Sequence, residues 1–336
     1  MVPLIVGVDI AKLTFSAARW QGERGEVLGT FANTAAGFAA LEQALGAPAS
    51  TEPAPVHLIL EPTGGYEQPL AHWAHARGWR VSLPNPRQVR DWGQGLGRRA
   101  KTDRQDALLL AHYGARCQPP AWQPLAAEVS ELDSLLRRKT DLEQLLRQER
   151  NRQQALAARP GIAAAVPASV ARVIGLLEEE LRTLEEAIAA LQRQHAALAE
   201  AAEQLQTVPG IGPRTVLPLL VLLARWDRLT AGAGTPKALV AYVGLDPQPF
   251  ASGTSVQRRA TISRQGERNL RRRLFAAALG GTRGANPLRA CYDRLVGRGK
   301  PKKLALVAAA RKLLLWAWAV FRHHTTFDAA RFAAAT

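Results

Sequence analysis

The order of elements in the first 120 residues limits the fold more than any other feature of this chain. Three short runs of aliphatic, aromatic and β-branched residues come first: LIVGVDI (4–10), LTFSAARW (13–20) and VLGTF (27–31). Only Ala11-Lys12 and the polar stretch QGERGE separate them, so they read as a strand meander. NTAAGFAALEQALG (33–46) follows, with a polar cap, apolar residues at Phe38, Leu41 and Leu45, and a terminating Gly46, the signals of a helix with both ends marked. VHLILE (56–61) is a nearly continuous apolar run closed by an acid, the pattern of a strand buried on both faces. YEQPLAHWAHARG and RVSLPNP supply a further helix and strand before the helix of DRQDALLLA. Three strands, then helix, strand, helix, strand and helix describe a mixed α/β sheet.

Asp9 lies near the end of the first run and Glu61 closes the buried one. In a mixed sheet whose first and fourth strands are neighbours, both side chains can point into one site. In KTDRQDALLLA (101–111), Asp103 and Asp106 stand three apart and share one face of a helix's first turn. Acids there are also favoured by the helix dipole, so a plain helix start is the competing explanation. Four gathered carboxylates repel one another without cations between them. Hard ions that prefer oxygen, above all Mg²⁺ with Mn²⁺ as a substitute, are the natural occupants. Two such ions about 3.5–4 Å apart are the usual device for phosphoryl displacement.

Charge points to the substrate class. The formal net charge is +16, and between Ser252 and Lys303 the 14 Lys and Arg are opposed only by Glu267 and Asp293. A cationic segment of that kind meets a polyanion, most commonly nucleic acid. TVPGIGPRTVLPLL (207–220) adds a G-x-G turn between apolar segments, at Gly210 and Gly212, which matches a helix-hairpin-helix. Backbone N–H groups of such a turn can hold a phosphate, which adds affinity without sequence preference; a purely structural turn is the alternative. Cys117 and Cys291 form no disulfide or zinc pattern. The N-terminus lacks the basic region and cleavage site of a signal peptide, and the apolar run 304–321 is interrupted by Arg311 and Lys312, so a buried helix is expected there rather than a membrane span. A cytoplasmic protein without a membrane partner is the expectation.

With 336 residues, two or three domains are expected. Between about 125 and 205 the composition turns to Leu, Ala, Glu, Gln and Arg. Leu177, Leu181, Leu184, Ile188, Leu191, His195, Leu198, Ala202 and Leu205 form a heptad seam, with His195 read as packed in it. RPGIAAAVP (159–167) separates this segment from a second helical one, giving a helical hairpin or a dimerising arm.

GVDIAK, EPTGGY and KTDRQDALLLA together resemble the DEDD signature of the insertion-sequence one-hundred-ten family of transposases. YVGLDPQPFASGTSVQRRATISRQGERNLRR (242–272) is similar to that family's second domain, with its Ser-Gly motif at Ser252-Gly253. The resemblance runs from Gly7 to about Ala278. It departs at Glu267, where the family carries asparagine after the glycine.

The resemblance implies a RuvC-like domain of ribonuclease H fold at 1–125. A helical coiled-coil dimerisation region at 126–205 and a mostly helical, basic C-terminal domain at 206–336 would follow, so the fold class is α/β plus all-α. It implies that Asp9, Glu61, Asp103 and Asp106 form the catalytic metal site, with Lys101 and Arg104 beside the substrate backbone. It further implies that Ser252 attacks DNA to form a covalent phosphoserine link. Arg258, Arg259, Arg264, Arg271, Arg272 and Arg273 would contact nucleic acid. Taken alone, Ser252 in PFASGTS is a serine in a small-residue loop, and Ser255 is its rival. The family's partners would be donor and target DNA, a bridge RNA, and further copies of the chain as dimer or tetramer. Two other readings stand beside a serine recombinase: a RuvC-type endonuclease using metal-activated water, and a non-enzymatic nucleic-acid-binding protein, which four retained acids disfavour.

Overall fold

The computed structural model describes residues 3–46, 56–97, 102–252 and 256–330. It divides into two compact units, one made of residues up to Pro124 with Asp227–Ala233, the other of Leu125–Trp226 and the residues from Gly234 onward.

The first unit is built on a five-stranded sheet. β1 (Leu4–Ile10), β2 (Thr14–Gln21) and β3 (Arg24–Ala32) are the meander; α1 (Ala35–Ala44), β4 (Val56–Leu60), α2 (Gln68–Ala76) and β5 (Arg80–Ser82) follow. The spatial order is β3-β2-β1-β4-β5. β1 runs antiparallel to β2 and parallel to β4, with Val8 opposite Leu60. This is an α/β domain of the ribonuclease H kind. Val6, Val8, Leu58 and Leu60 pack on one face with Phe38 and Leu41 of α1 and Leu70 and Ala74 of α2. Ile5 and Ile59 pack on the other with Val89 of α3 (Pro86–Gly95) and Leu110 of α4 (Asp103–Cys117). β1 and β4 are therefore covered on both sides, which is why VHLILE lacks the alternation of a half-exposed strand. The sequence reading passes over α3, although Asn85 caps it by accepting from the Arg87 N–H at 2.9 Å and Pro86 occupies its first position.

The second unit is helical except for one hairpin. α5 (Ala127–Ala157) and α6 (Ala165–Gln194) lie against each other through Leu142, Leu146, Ile174 and Leu177. Lys139 meets Glu185 at 2.7 Å and Arg150 meets Glu178 at 2.8 Å, a pairing that fixes the two helices as antiparallel. The heptad seam does not continue as one helix. His195 leaves helical geometry (φ −122°, ψ 89°), and α7 (Ala196–Gln206) starts anew to pack on α12 (Lys302–His323). No proline or glycine forces this break; the tertiary contact overrides a periodicity that fits a longer helix. α8 (Pro213–Leu229), α9 (Pro236–Val243), α10 (Arg268–Gly281) and α11 (Pro287–Gly297) complete the helices. α12 is long and apolar enough to cross a membrane by length and composition, but Ala309, Leu313, Leu314, Trp316 and Val320 are buried and it packs on α7, α9, α10 and α11, as a core helix does.

Candidate active site

Glycine sets the distance between β1 and α4. A Cβ on Gly7 would lie inside contact distance of the Ala111 nitrogen and the Ala107 oxygen, and 2.8 Å from the Leu110 carbonyl carbon. A Cβ on Gly114 would come within 2.9 Å of Ile5 and Ile59. The helix backbone therefore rests directly on the sheet at β1 and β4. Ile5, Gly7 and Asp9 alternate onto this face, and Ile59 does the same on β4, with Glu61 next in the alternation just past its end. Since Gly114 lies over Ile5 and Ile59 while Ala107 and Ala111 lie over Gly7, α4 points its N-terminus towards the C-terminal ends of both strands. Asp106 and Asp103, one and four residues before Ala107, are thereby carried to the end of the sheet where Asp9 and Glu61 emerge.

Asp9, Glu61 and Asp106 are partly buried, whereas Asp103 and Arg104 are exposed. Thr102 caps α4, accepting from the Gln105 N–H at 3.4 Å, so the acids also occupy the positive end of the helix dipole. Arg90 of α3 reaches over the site and meets Glu61 at 3.7 Å. The donor chemistry fits a hard divalent ion, because all four groups offer carboxylate oxygen. As placed, no three His, Cys, Asp or Glu side chains among the described residues converge tightly enough to share one. Lys101 lies outside the described residues.

The segment after Glu61 is held by a residue that the sequence reading leaves out. Glu67 is 5% exposed. Its carboxylate accepts from the backbone N–H of Thr63 at 2.9 Å and of Gly65 at 3.0 Å, and from the Gln68 amide at 3.0 Å. Burial pushes this carboxyl upward, but those hydrogen bonds outweigh it and hold the group below the usual carboxylate range. A second glutamate six residues after Glu61 in EPTGGYE was the available signal.

Ser252 belongs to the other unit. The sequence reading treats PFASGTS as a loop; the structure instead makes Ser252 the last residue of β6 (Pro247–Ser252), paired with Val256 of β7 (Val256–Ile262) at the tip of a two-stranded hairpin. The alternation of Val256, Ala260 and Ile262 was the overlooked strand signal. Gly253 and Ser255 lie outside the described residues, and Arg258 and Arg259 fall within β7.

The base of the hairpin is tightly fixed. Gly244 ends α9 in the left-handed region (φ 77°), and a Cβ there would meet the Gln265 backbone. Ser263 bonds Asp246 through both backbone and side chain. Arg271 donates to the carbonyls of Val243, Gln265 and Gly266 at 3.1, 2.6 and 2.9 Å, binding α9 to the segment leaving β7. Arg273 donates to the Arg214 carbonyl at 2.9 Å and faces Glu143 at 3.7 Å. Both guanidiniums thus have partners inside the protein. Arg264 and Arg272 are exposed. So is Arg268, which shares a face of α10 with Arg272 four residues on and which the sequence reading passes over. Gly210 presses against α10, where a Cβ would come 2.6 Å from the Ala277 oxygen, so packing alone accounts for it; Gly212 borders open space.

Comparison with known proteins gives the family. Residues 6–159 match a family model described as "Transposase", and residues 202–293 match one described as "Transposase IS116/IS110/IS902 family". The pilin gene-inverting proteins of Moraxella lacunata and Moraxella bovis are each 34% identical over 96% of this chain and 97% of their own length. An uncharacterized 43.6 kDa protein of insertion element IS110 from Streptomyces coelicolor is 34% identical over 48% of this chain and 37% of its own length. Both the sheet domain and the segment bearing the serine hairpin are covered, and the chain belongs to the IS110 family of transposases.

Proposed function

We propose that this transposase recombines DNA by two cooperating groups, the carboxylates Asp9, Glu61, Asp103 and Asp106 and the hydroxyl of Ser252. The observation that carries the reading is the close packing of α4 on Gly7, which delivers two acids to the strand ends bearing the other two. These carboxylates would hold a divalent ion, Mg²⁺ or Mn²⁺, which would supply positive charge against the scissile phosphate. Glu61 would turn from Arg90 to join it, freeing that guanidinium for a phosphate oxygen. Ser252 Oγ attacks phosphorus, the bond to one deoxyribose oxygen breaks, and the proton lost by the serine is balanced by the one the departing oxygen takes up, giving a phosphoserine ester and a free sugar hydroxyl. A hydroxyl from the partner strand then attacks the ester and releases the serine, so the phosphodiester is restored without a nucleotide cofactor. Arg264, Arg268 and Arg272 hold the DNA backbone.

The pilin gene-inverting relatives point to reciprocal exchange between two DNA sites. We include in the proposal a bridge RNA that selects donor and target sites, an assembly of two or four copies, and a cytoplasmic location. The test is a nicked suicide duplex cut from the DNA flanking the gene. The wild-type protein should form a DNA adduct that survives denaturation and maps to Ser252, and Ser252→Ala should lose both adduct and recombination. Cleavage by Ser252→Ala with free ends would instead establish a RuvC-type endonuclease using water.

A further inference from the structure

Two turns follow the neighbouring acids of the sheet, and the structure connects them. Asp9 is followed by a tight turn in which the Ala11 N–H donates to the Thr14 carbonyl at 2.8 Å. Glu61 is followed by the turn that Glu67 fills with its carboxylate, and Thr63 Oγ1 donates back to the Glu61 carbonyl at 3.1 Å. Asn33, the residue after β3, stands between the two. Its backbone N–H donates to the Leu13 carbonyl at 2.8 Å. Its side-chain amide donates to the Ala11 carbonyl at 3.2 Å and to the Tyr66 carbonyl at 3.1 Å. Both amide hydrogens are thus used on the turns that follow the two acids, while Oδ1 is buried without a partner among the described residues. A group that leaves its own acceptor unpaired is held by what its donors bind.

We propose that Asn33 and Glu67 are positioning residues for the acidic site. Glu67 fixes the turn after Glu61, Asn33 ties that turn to the one after Asp9, and together they set the spacing of the two carboxylates. The inference rests on the metal-binding reading above. Neither residue reaches the ion; each orders the backbone from which a ligand projects, as outer partners of metal ligands do. A substitution should therefore weaken metal affinity beyond any general loss of stability.

The experiment uses the full chain and Mn²⁺ alone, with free ion counted by electron paramagnetic resonance. Asn33→Ala and Glu67→Ala should each raise the Kd for Mn²⁺ by about tenfold or more. Leu41→Ala, a core truncation in the same unit, supplies a variant with lowered Tm, and its Kd should stay at the wild-type value. If Glu67→Ala does not fold, Glu67→Gln carries the test, since it keeps the shape but loses the charge that accepts two N–H groups. Asp9→Asn separates the two ideas. If it leaves Mn²⁺ binding unchanged, the metal reading fails and the positioning role falls with it. If it abolishes binding while Asn33→Ala and the folded Glu67 variant keep the wild-type Kd, the positioning role alone is wrong. An equal loss in Leu41→Ala would also overturn it.

Discussion

The acidic end of the sheet and the serine hairpin are built in opposite ways. The acids stand at the ends of two strands covered on both faces, under a helix whose backbone touches the sheet at Gly7. Ser252 stands at the tip of two strands that, among the described residues, pair only with each other and are fixed at their base by Gly244, Asp246 and Arg271. A lone hairpin is marginal in water. One site inherits its rigidity from a core; the other depends on a few hydrogen bonds at its root. The contrast suits the proposed roles: acids that share an ion would need fixed spacing, whereas a serine that attacks a phosphate would need room to approach and leave it.

The largest expected effect is at the rigid site. Gly7→Ala should cost about 3 kcal/mol or more, because the added carbon meets backbone atoms of α4 that no rotamer can move aside. Chemical denaturation would read this, and a near-wild-type transition would mean that the helix does not rest on the sheet as described. Next comes the hairpin root. Arg271→Ala should destabilise the second unit by about 2 kcal/mol through three lost carbonyl bonds while leaving the salt dependence of DNA binding little changed. Arg272→Ala should do the reverse: little change in stability, and a slope of log affinity against log salt smaller by about 0.7–0.9. If the two variants exchange behaviours, the division into root and binding face is wrong. The smallest effect is at Glu267, which occupies the N-cap of α10 with extended backbone and makes no capping hydrogen bond. Glu267→Asn should add about 0.5–1 kcal/mol, visible as a modest rise in the Tm of the second unit with the first unit unmoved.

The same contrast explains what could be read from the sequence. β1, β4 and α4 were legible because a doubly buried strand has no polar face and a capped helix start has acids at fixed spacing; Asp9, Glu61, Asp103 and Asp106 stand out for that reason. α3 was missed because Arg87, Gln88, Arg90 and Asp91 leave a thin apolar stripe with only Val89 and Gly93 buried. The hairpin was missed because PFASGTS carries small residues that suit a loop equally well. Arg271 to Arg273 show the limit of reading charge: three consecutive arginines look alike in sequence, and only packing separates the two bound to carbonyls, Arg271 and Arg273, from Arg272, which faces water. Asn33 and Glu67 were hidden because the partners that tie them to the turns are backbone atoms, which leave no mark in a residue pattern.

The strand order also governs when the acidic site comes into being during synthesis. Neither β2 nor β3 brings a carboxylate beside Asp9 at the end of β1: Ser16 of β2 pairs with it, and Thr30 of β3 pairs with Ser16. The chain must cross over and return in parallel at β4 before Glu61 can do so, and it must continue to α4 before Asp103 and Asp106 arrive. A nascent chain that has emerged only as far as α2 already displays the meander and one flanking layer, yet has half of the acids. Until α4 closes over Gly7, Ile5 and Ile59, that face of the sheet is open and apolar, so the helix that completes the acidic set is also the one that seals the fold.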